Sequence, residues 1–256
     1  VSEPPVKVWL EREGALLRLR LARPKANVLD QAMVEALARA LDLHRGNPGL
    51  VAALLDHEGP HFSFGASVAE HLPEHCAAML RGFHALIERM LDWPKPVLVA
   101  ARGQCLGGGL ELAAAAHLLF LAPDAQLGQP ELKLGVFAPA ASCLLPERIG
   151  QARAEDLLYS GRSIDAQTAL AWGLANEGAL DPAAAALEYF DQHLAPKSAV
   201  SLRYAVHAAR APFAARVRAR LADVESTYLE GLMGTRDALE GLHAFLEKRA
   251  PKWEHR

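Results

Sequence analysis

The chain has 256 residues, 51% of them hydrophobic, enough to bury a large core without covalent staples. Its 27 Lys and Arg against 30 Asp and Glu leave a net charge of -3, which removes the general electrostatic case for nucleic acid or an anionic membrane as the main partner. Cys76, Cys105 and Cys143 are odd in number, far apart and in no CxxC pattern, so neither a disulfide framework nor a structural zinc site is expected, and the thiols suit a reducing compartment.

In chain order, Val1 to Lys7 shows no basic stretch leading into an apolar one, and no apolar run elsewhere is long enough to span a bilayer, so a cytoplasmic protein without a membrane partner is expected. Val6–Leu10 and Ala15–Leu21 alternate as two half-buried strands around Glu11-Arg-Glu-Gly14, a β-hairpin. After the loop Arg23-Pro-Lys-Ala-Asn27, Asp30 caps a helix marked by Val34, Leu37 and Leu41 that ends at Gly46-Asn-Pro-Gly49. Leu50–Leu55 reads as a buried strand leading to Pro60-His-Phe-Ser-Phe-Gly-Ala-Ser-Val-Ala-Glu70. Met79, Phe83, Leu86, Ile87 and Met90 then mark an amphipathic helix stopped by Trp93-Pro94.

Lys95–Ala101 is a short apolar run of the buried-strand type, and it leads into Arg102-Gly-Gln-Cys-Leu-Gly-Gly-Gly-Leu-Glu-Leu-Ala113. Three glycines between a strand and an alanine-rich helix leave the first N–H groups of that helix free and accessible, a natural place for an oxyanion. Glu111, one turn in, would repel a phosphate, but beside an oxygen that turns negative only during reaction it can act as acid, base or water holder. The glycines would equally serve tight helix packing, with Glu111 a favourable first-turn acid. Two other stretches shift the balance: the Gly65-Ala66 corner offers a second backbone donor, and Gly128-Gln-Pro-Glu131 a second carboxylate twenty residues after the first.

His117–Leu121 is a further strand, followed by the Gln129-Pro-Glu131 loop and a helical region around Ser142–Ile149. Strand signals vanish from about Ala183. Leu202–Lys248 reads as helix broken at Pro212 and Gly234, with Leu239, Leu242, Phe245 and Leu246 as an apolar stripe that packs on the core or on another subunit.

Phe62-Ser-Phe-Gly-Ala66, Leu106-Gly-Gly-Gly-Leu-Glu111, Gln129-Pro-Glu131 and Glu240-Gly-Leu-His-Ala-Phe-Leu-Glu-Lys248, taken in order, resemble the four marks of the enoyl-CoA hydratase/isomerase (crotonase) superfamily. The resemblance implies an α/β fold, a spiral of repeated ββα units over residues 1–190, with a helical trimerisation region over 191–256. It implies an acyl-CoA substrate, with coenzyme A part of that substrate and no separate cofactor, and a homotrimer or dimer of trimers. By motif position the backbone N–H groups of Ala66 and Gly108 become the oxyanion hole for the thioester carbonyl, Glu111 the water-positioning acid and Glu131 the proton-transfer acid. Lys25, Ala26, Ala66 and Val68 fall where the family lines its nucleotide channel, and Phe245 and Lys248 where its C-terminal helix reaches CoA.

Departures from the common pattern narrow the resemblance. Ser67 stands where fatty-acid hydratases usually carry an acid, and Phe137-Ala-Pro-Ala-Ala-Ser142 replaces a glycine-rich segment. Together with Pro24–Asp30 and His61–Pro73, this is most similar to the cyclohexa-1,5-diene-1-carbonyl-CoA hydratases of anaerobic benzoyl-CoA breakdown, which implies a flat ring as substrate and Phe62, Phe64 and Phe137 packing on it. An ordinary short-chain enoyl-CoA hydratase is the main rival, then an isomerase, which generally needs one of the two acids, and then a non-catalytic acyl-CoA-binding relative. His57, His61, His71 and His75 have two four-residue spacings, but Pro73 interrupts the second pair and no carboxylate completes a ligand pattern, so no metal is expected. Gly103 and Gly107–Gly109 do not space as GxGxxG, which argues against an NAD site.

Overall fold

The computed structural model describes residues 3–256. Its strands are β1 (Val6–Glu11), β2 (Leu16–Leu21), β3 (Ala52–His57), β4 (Val97–Ala101), β5 (Gln104–Leu106), β6 (Leu118–Leu121), β7 (Gln126–Gly128), β8 (Ser163–Asp165) and β9 (Glu177–Gly178). Its α-helices are α1 (Gln31–Arg45), α2 (Pro73–Leu91), α3 (Gly108–Ala115), α4 (Pro139–Ile149), α5 (Gln151–Ser160), α6 (Ala166–Ala171), α7 (Pro182–Tyr189), α8 (Ala199–Ser226) and α9 (Arg236–Leu246).

The opening hairpin forms as its alternation requires, β1 antiparallel to β2 with Leu10 opposite Leu17. Ala15 donates to Arg12 O at 3.0 Å to close the intervening 3₁₀ turn, so the second strand begins at Leu16. From there the large sheet grows by parallel addition in the order β1-β2-β3-β4-β6-β9. β4 is buried at every position and β3 at all but its last. Strands covered on both faces read as continuous apolar runs, which is why these two were legible. The start of β3 at Ala52, two residues into the run Leu50–Leu55, follows from its register with Leu16 of β2.

A second, three-stranded sheet has the order β5-β7-β8, and Ser63 joins its β5 edge through a single bridge to Cys105. The repeat is visible in this division. β3, β4 and β6 each lie in the large sheet, the chain then crosses to the small one at Ser63, β5 and β7 respectively, and a helix follows. Each turn of the spiral therefore brings one sheet-to-helix corner to the same edge of the molecule.

Asp30 caps α1 as the sequence indicates, its carboxylate accepting from Met33 N at 2.9 Å. Two expectations change. Gln129-Pro-Glu131 opens a 3₁₀ turn, Pro130–Leu134, and the following helix begins at Pro139, earlier than Ser142, because a proline in the first turn gives up an N–H that has no helical partner anyway. Pro212 does not break its helix: α8 runs 28 residues through it. Pro212 is exposed, so solvent can satisfy the carbonyl that loses its intrahelical donor. The break at Gly234 is real, and Thr235 caps α9 there by accepting from Ala238 N. α8 sends Ala214, Val217 and Leu221 into the main core. On α9 the apolar stripe is divided, with Leu242 wholly buried and Phe245 and Leu246 exposed.

Candidate active site

Two main-chain corners meet at one end of the spiral. At the first, Gly65 has φ +99, and a Cβ there would stand 2.9 Å from Leu106 O, so only glycine lets the loop lie against the second corner. Leu29 N donates to Gly65 O at 2.9 Å. That bond fixes the Gly65–Ala66 peptide by its oxygen, and the Ala66 N–H on the opposite side of the same plane has no acceptor among the described residues. At the second corner, Gly107 N donates to Gly128 O at 2.9 Å, and Gly107 O accepts from Glu111 N at 3.0 Å. Gly108 is the first residue of α3, and its N–H is likewise without an acceptor. A Cβ on Gly108 would lie 3.2 Å from Ala66 N, so the two free donors are neighbours.

Both donors line a cavity of about 420 Å³, within the usual range for a small-molecule site. Glu111 and Glu131 face the same cavity. Glu111 is 6% exposed, and its Oε1 accepts from Ala141 N in α4 at 2.7 Å. Burial pushes its carboxyl up to about 7, and the hydrogen bonds from Ala141 and Ala140 hold it from rising further. Glu131 is pushed up to about 8, first by burial and then by the charge of Glu111. The buried Gln129 amide lies 3.1 Å from both Glu131 oxygens. Two carboxyls in a mostly apolar cavity, with different environments and a mutual charge effect, can hold one proton between them near neutral pH, so one acts as base while the other acts as acid.

Of the other residues singled out by sequence, Val68, Phe64, Phe137 and Phe245 line the cavity, whereas Lys25, Ala26 and Lys248 do not. Phe62 is not a pocket residue. It is fully buried and packs edge-on against His57, ring centroids 5.7 Å apart, whereas Phe64, two residues on, lines the cavity and is 46% exposed. One wall of the cavity comes from α2: Met79, Leu80, Phe83 and His84. Three of these carry no chemical signal and read from sequence as an ordinary apolar stripe. His84 is more informative, 4% exposed with Nδ1 2.5 Å from Glu225 Oε2. Phe137 is buttressed from behind by Tyr228, centroids 5.2 Å apart at 62°, a contact between residues 91 positions apart.

Three of the four histidines singled out by spacing take structural hydrogen bonds. His57 Nε2 accepts from Arg102 N at 3.3 Å, His61 Nδ1 accepts from Gln104 N at 3.2 Å, and His71 Nδ1 donates to Ser67 O at 2.8 Å.

The family model for enoyl-CoA hydratase/isomerase matches residues 11–256, and the chain belongs to that family. Among curated relatives it is 63% identical over 255 residues to a cyclohexa-1,5-dienecarbonyl-CoA hydratase from Thauera aromatica, covering 100% of this chain and 99% of the relative. A probable enoyl-CoA hydratase from Bacillus subtilis (strain 168) is 34% identical, with 92% and 94% covered. Among solved structures, an enoyl-CoA hydratase from Mycobacterium avium superposes with a TM-score of 0.87 at 25% identity, covering 98% of this chain and 100% of that one.

Proposed function

We propose that this chain is a hydro-lyase adding water to cyclohexa-1,5-diene-1-carbonyl-CoA to give 6-hydroxycyclohex-1-ene-1-carbonyl-CoA. The observation that carries the reading is the end-to-end 63% identity to the Thauera aromatica hydratase. The site supports it with both carboxylates and both free N–H groups on one cavity.

In this reading the thioester oxygen accepts from Ala66 N–H and Gly108 N–H. The positive end of α3 favours the negative charge that builds there, and each donor contributes about 3 kcal/mol to the transition state. Glu111, its Oε1 anchored by Ala141, orients a water and takes its proton. The water oxygen bonds to the ring carbon β to the carbonyl, and the electron pair of that double bond moves into a dienolate. Glu131 delivers its proton to the far end of the dienolate, leaving one double bond conjugated to the carbonyl. One O–H bond of water is lost and one C–O and one C–H bond form. A proton passing from Glu111 back to Glu131 resets the pair.

Phe137, held by Tyr228, and Phe83 form aromatic walls suited to a flat ring. Coenzyme A is part of the substrate, its nucleotide lying toward Lys25 and Ala26 with Val68 on the channel wall. Phe245 on α9 and Lys248, two residues past its end, reach it, and the exposed Phe245 and Leu246 suit contact with a neighbouring subunit in a homotrimer or dimer of trimers. A cytoplasmic setting belongs to this reading, since the substrate is a CoA thioester.

The test is hydration of the cyclic dienoyl-CoA and of crotonyl-CoA by wild type and Glu131→Gln, followed by absorbance and mass. A gain of one water, faster on the ring and lost in the variant, is the expected result. Faster turnover of crotonyl-CoA would move the enzyme to linear acyl groups, and no turnover of either would leave an acyl-CoA-binding protein.

A further inference from the structure

Ser63 contributes no atom to the cavity, yet it is wholly buried and uses its hydroxyl twice: Oγ accepts from Gly65 N at 3.0 Å and donates to Asn27 O at 2.8 Å. Its main chain is tied just as closely to the other corner of the site. Ser63 N donates to Gln104 O and Ser63 O accepts from Leu106 N, both at 3.0 Å, and a Cβ on Gly109 would stand 2.8 Å from the Ser63 Cβ. One residue thus touches the segment that ends in Ala66 and the segment that ends in Gly108.

We propose that Ser63 is a positioning residue that aims the Ala66 N–H at the thioester oxygen. The inference rests on reading Ala66 and Gly108 as the donors for that oxygen. Gly65, at φ +99 and without a side chain, has nothing of its own to hold its orientation. The Ser63 hydroxyl fixes the peptide on the N-terminal side of Gly65, and Leu29 N fixes the peptide on its C-terminal side through Gly65 O. The Ala66 N–H belongs to that second peptide, so its direction is set from both ends of one residue.

The anchor behind Ser63 is rigid. Asn27 is fully buried with φ +44. Its carboxamide donates to Glu58 O at 3.0 Å and His61 O at 2.9 Å and accepts from Arg23 N at 3.0 Å. Every polar atom of that side chain is engaged, the condition under which a buried network specifies one geometry. The Lys25–Val28 loop therefore has a structural task at the reacting carbonyl, independent of any contact it makes with the nucleotide.

The experiment pairs kinetics with the infrared C=O stretch of ¹³C-carbonyl crotonyl-CoA bound to wild type, Ser63→Ala and Ser63→Cys, each prepared in the Glu131→Gln background for spectroscopy. Well-aimed donors lower that frequency on binding. Ser63→Ala is expected to lose about tenfold to a hundredfold in kcat, the scale of a misaimed group rather than a deleted donor, with KM within about threefold. Its bound carbonyl frequency should move back toward the free thioester, and Ser63→Cys should recover part of both. A Ser63→Ala protein that keeps the wild-type frequency shift overturns the role of Ser63, whatever its thermal stability. A wild type with no shift removes the donor pair itself, and the inference with it.

Discussion

Gly107 and Glu131 fit against each other without room for a methyl group: a Cβ on Gly107 would stand 2.5 Å from Glu131 Oε1. Gly107 also has φ 52 and ψ -127, a conformation outside the regions open to other residues. Gly107→Ala should therefore lower kcat/KM on the cyclic dienoyl-CoA by at least about a hundredfold by displacing the acid. It should cost roughly 1–3 kcal/mol of stability from backbone strain, read from urea unfolding of the same preparation.

In the proposed mechanism the carboxyl pair sets the pH dependence of turnover. With Glu111 raised to about 7 and Glu131 to about 8, a base–acid division operates best between those values, and kcat/KM should fall on both sides. The limbs belong to the pair. Glu111→Gln should remove the acidic limb together with most of the activity, since a glutamine cannot take a proton from water. A profile in the variant that keeps the wild-type limbs would argue against this division of roles.

The same shifts predict a stability cost. Both acids have folded pKa values above the 4.5 of an unfolded glutamate, so between about 4.5 and 8 the folded chain binds more protons than the unfolded one, and their contribution falls as pH rises. Glutamine imitates the neutral acid. Glu131→Gln should have a larger unfolding free energy than wild type at pH 8.5, by about 1–3 kcal/mol after allowing for exposure to the cavity, read from urea unfolding, and the gap should close near pH 5.

His117 acts with the opposite sign. Val97 N donates to its Nδ1 at 3.0 Å, and burial, followed by the charges of Arg210 and Arg148, lowers its pKa to about 3. Below about 6.5 the unfolded chain binds the extra proton and stability is lost as pH falls toward 3. In His117→Asn, which keeps an acceptor for Val97 N but cannot titrate, the loss of unfolding free energy between pH 7 and pH 5 should shrink by up to about 2 kcal/mol.

The contact of Phe137 with Tyr228 bears on which acyl groups fit. Phe137→Gly should lower the preference for the cyclic dienoyl-CoA over crotonyl-CoA, measured as a ratio of kcat/KM values. Tyr228→Phe should leave that ratio intact, because the edge-to-face packing survives. It should not destabilise the fold, since the Tyr228 hydroxyl is buried without a hydrogen-bond partner among the described residues.

Much of this site is legible in the sequence because its signals are local. Glycine runs, the Gly65-Ala66 corner and a carboxylate at fixed spacing each announce a backbone geometry within a dozen residues, and the doubly buried β3 and β4 announce themselves by continuous apolarity. What stays hidden depends on the far side of a residue. Phe62 and Phe64 are two positions apart and chemically alike, and strand alternation would put them on one face, yet Phe62 is fully buried and Phe64 46% exposed. Pro212 reads as a helix break because propensity knows nothing of solvent access to the freed carbonyl. The α2 wall of Met79, Leu80 and Phe83 has the periodicity of any core helix, and the Tyr228 support of Phe137 arises from chain segments that no spacing rule connects.

Because the proposed thioester donors are main-chain groups, no side-chain replacement at Ala66 deletes its donor, and only proline would. The carboxylates proposed to decide the fate of the dienolate have no such protection. Glu111 and Glu131 can each become glutamine by a single nucleotide change, which removes the proton and spares the shape. On the proposed roles, the fold separates an inheritable capacity to stabilise charge on a thioester from an easily rewritten choice of reaction, so new activities on this scaffold are more readily reached by editing the two carboxylates than by rebuilding the corners that would hold the oxygen.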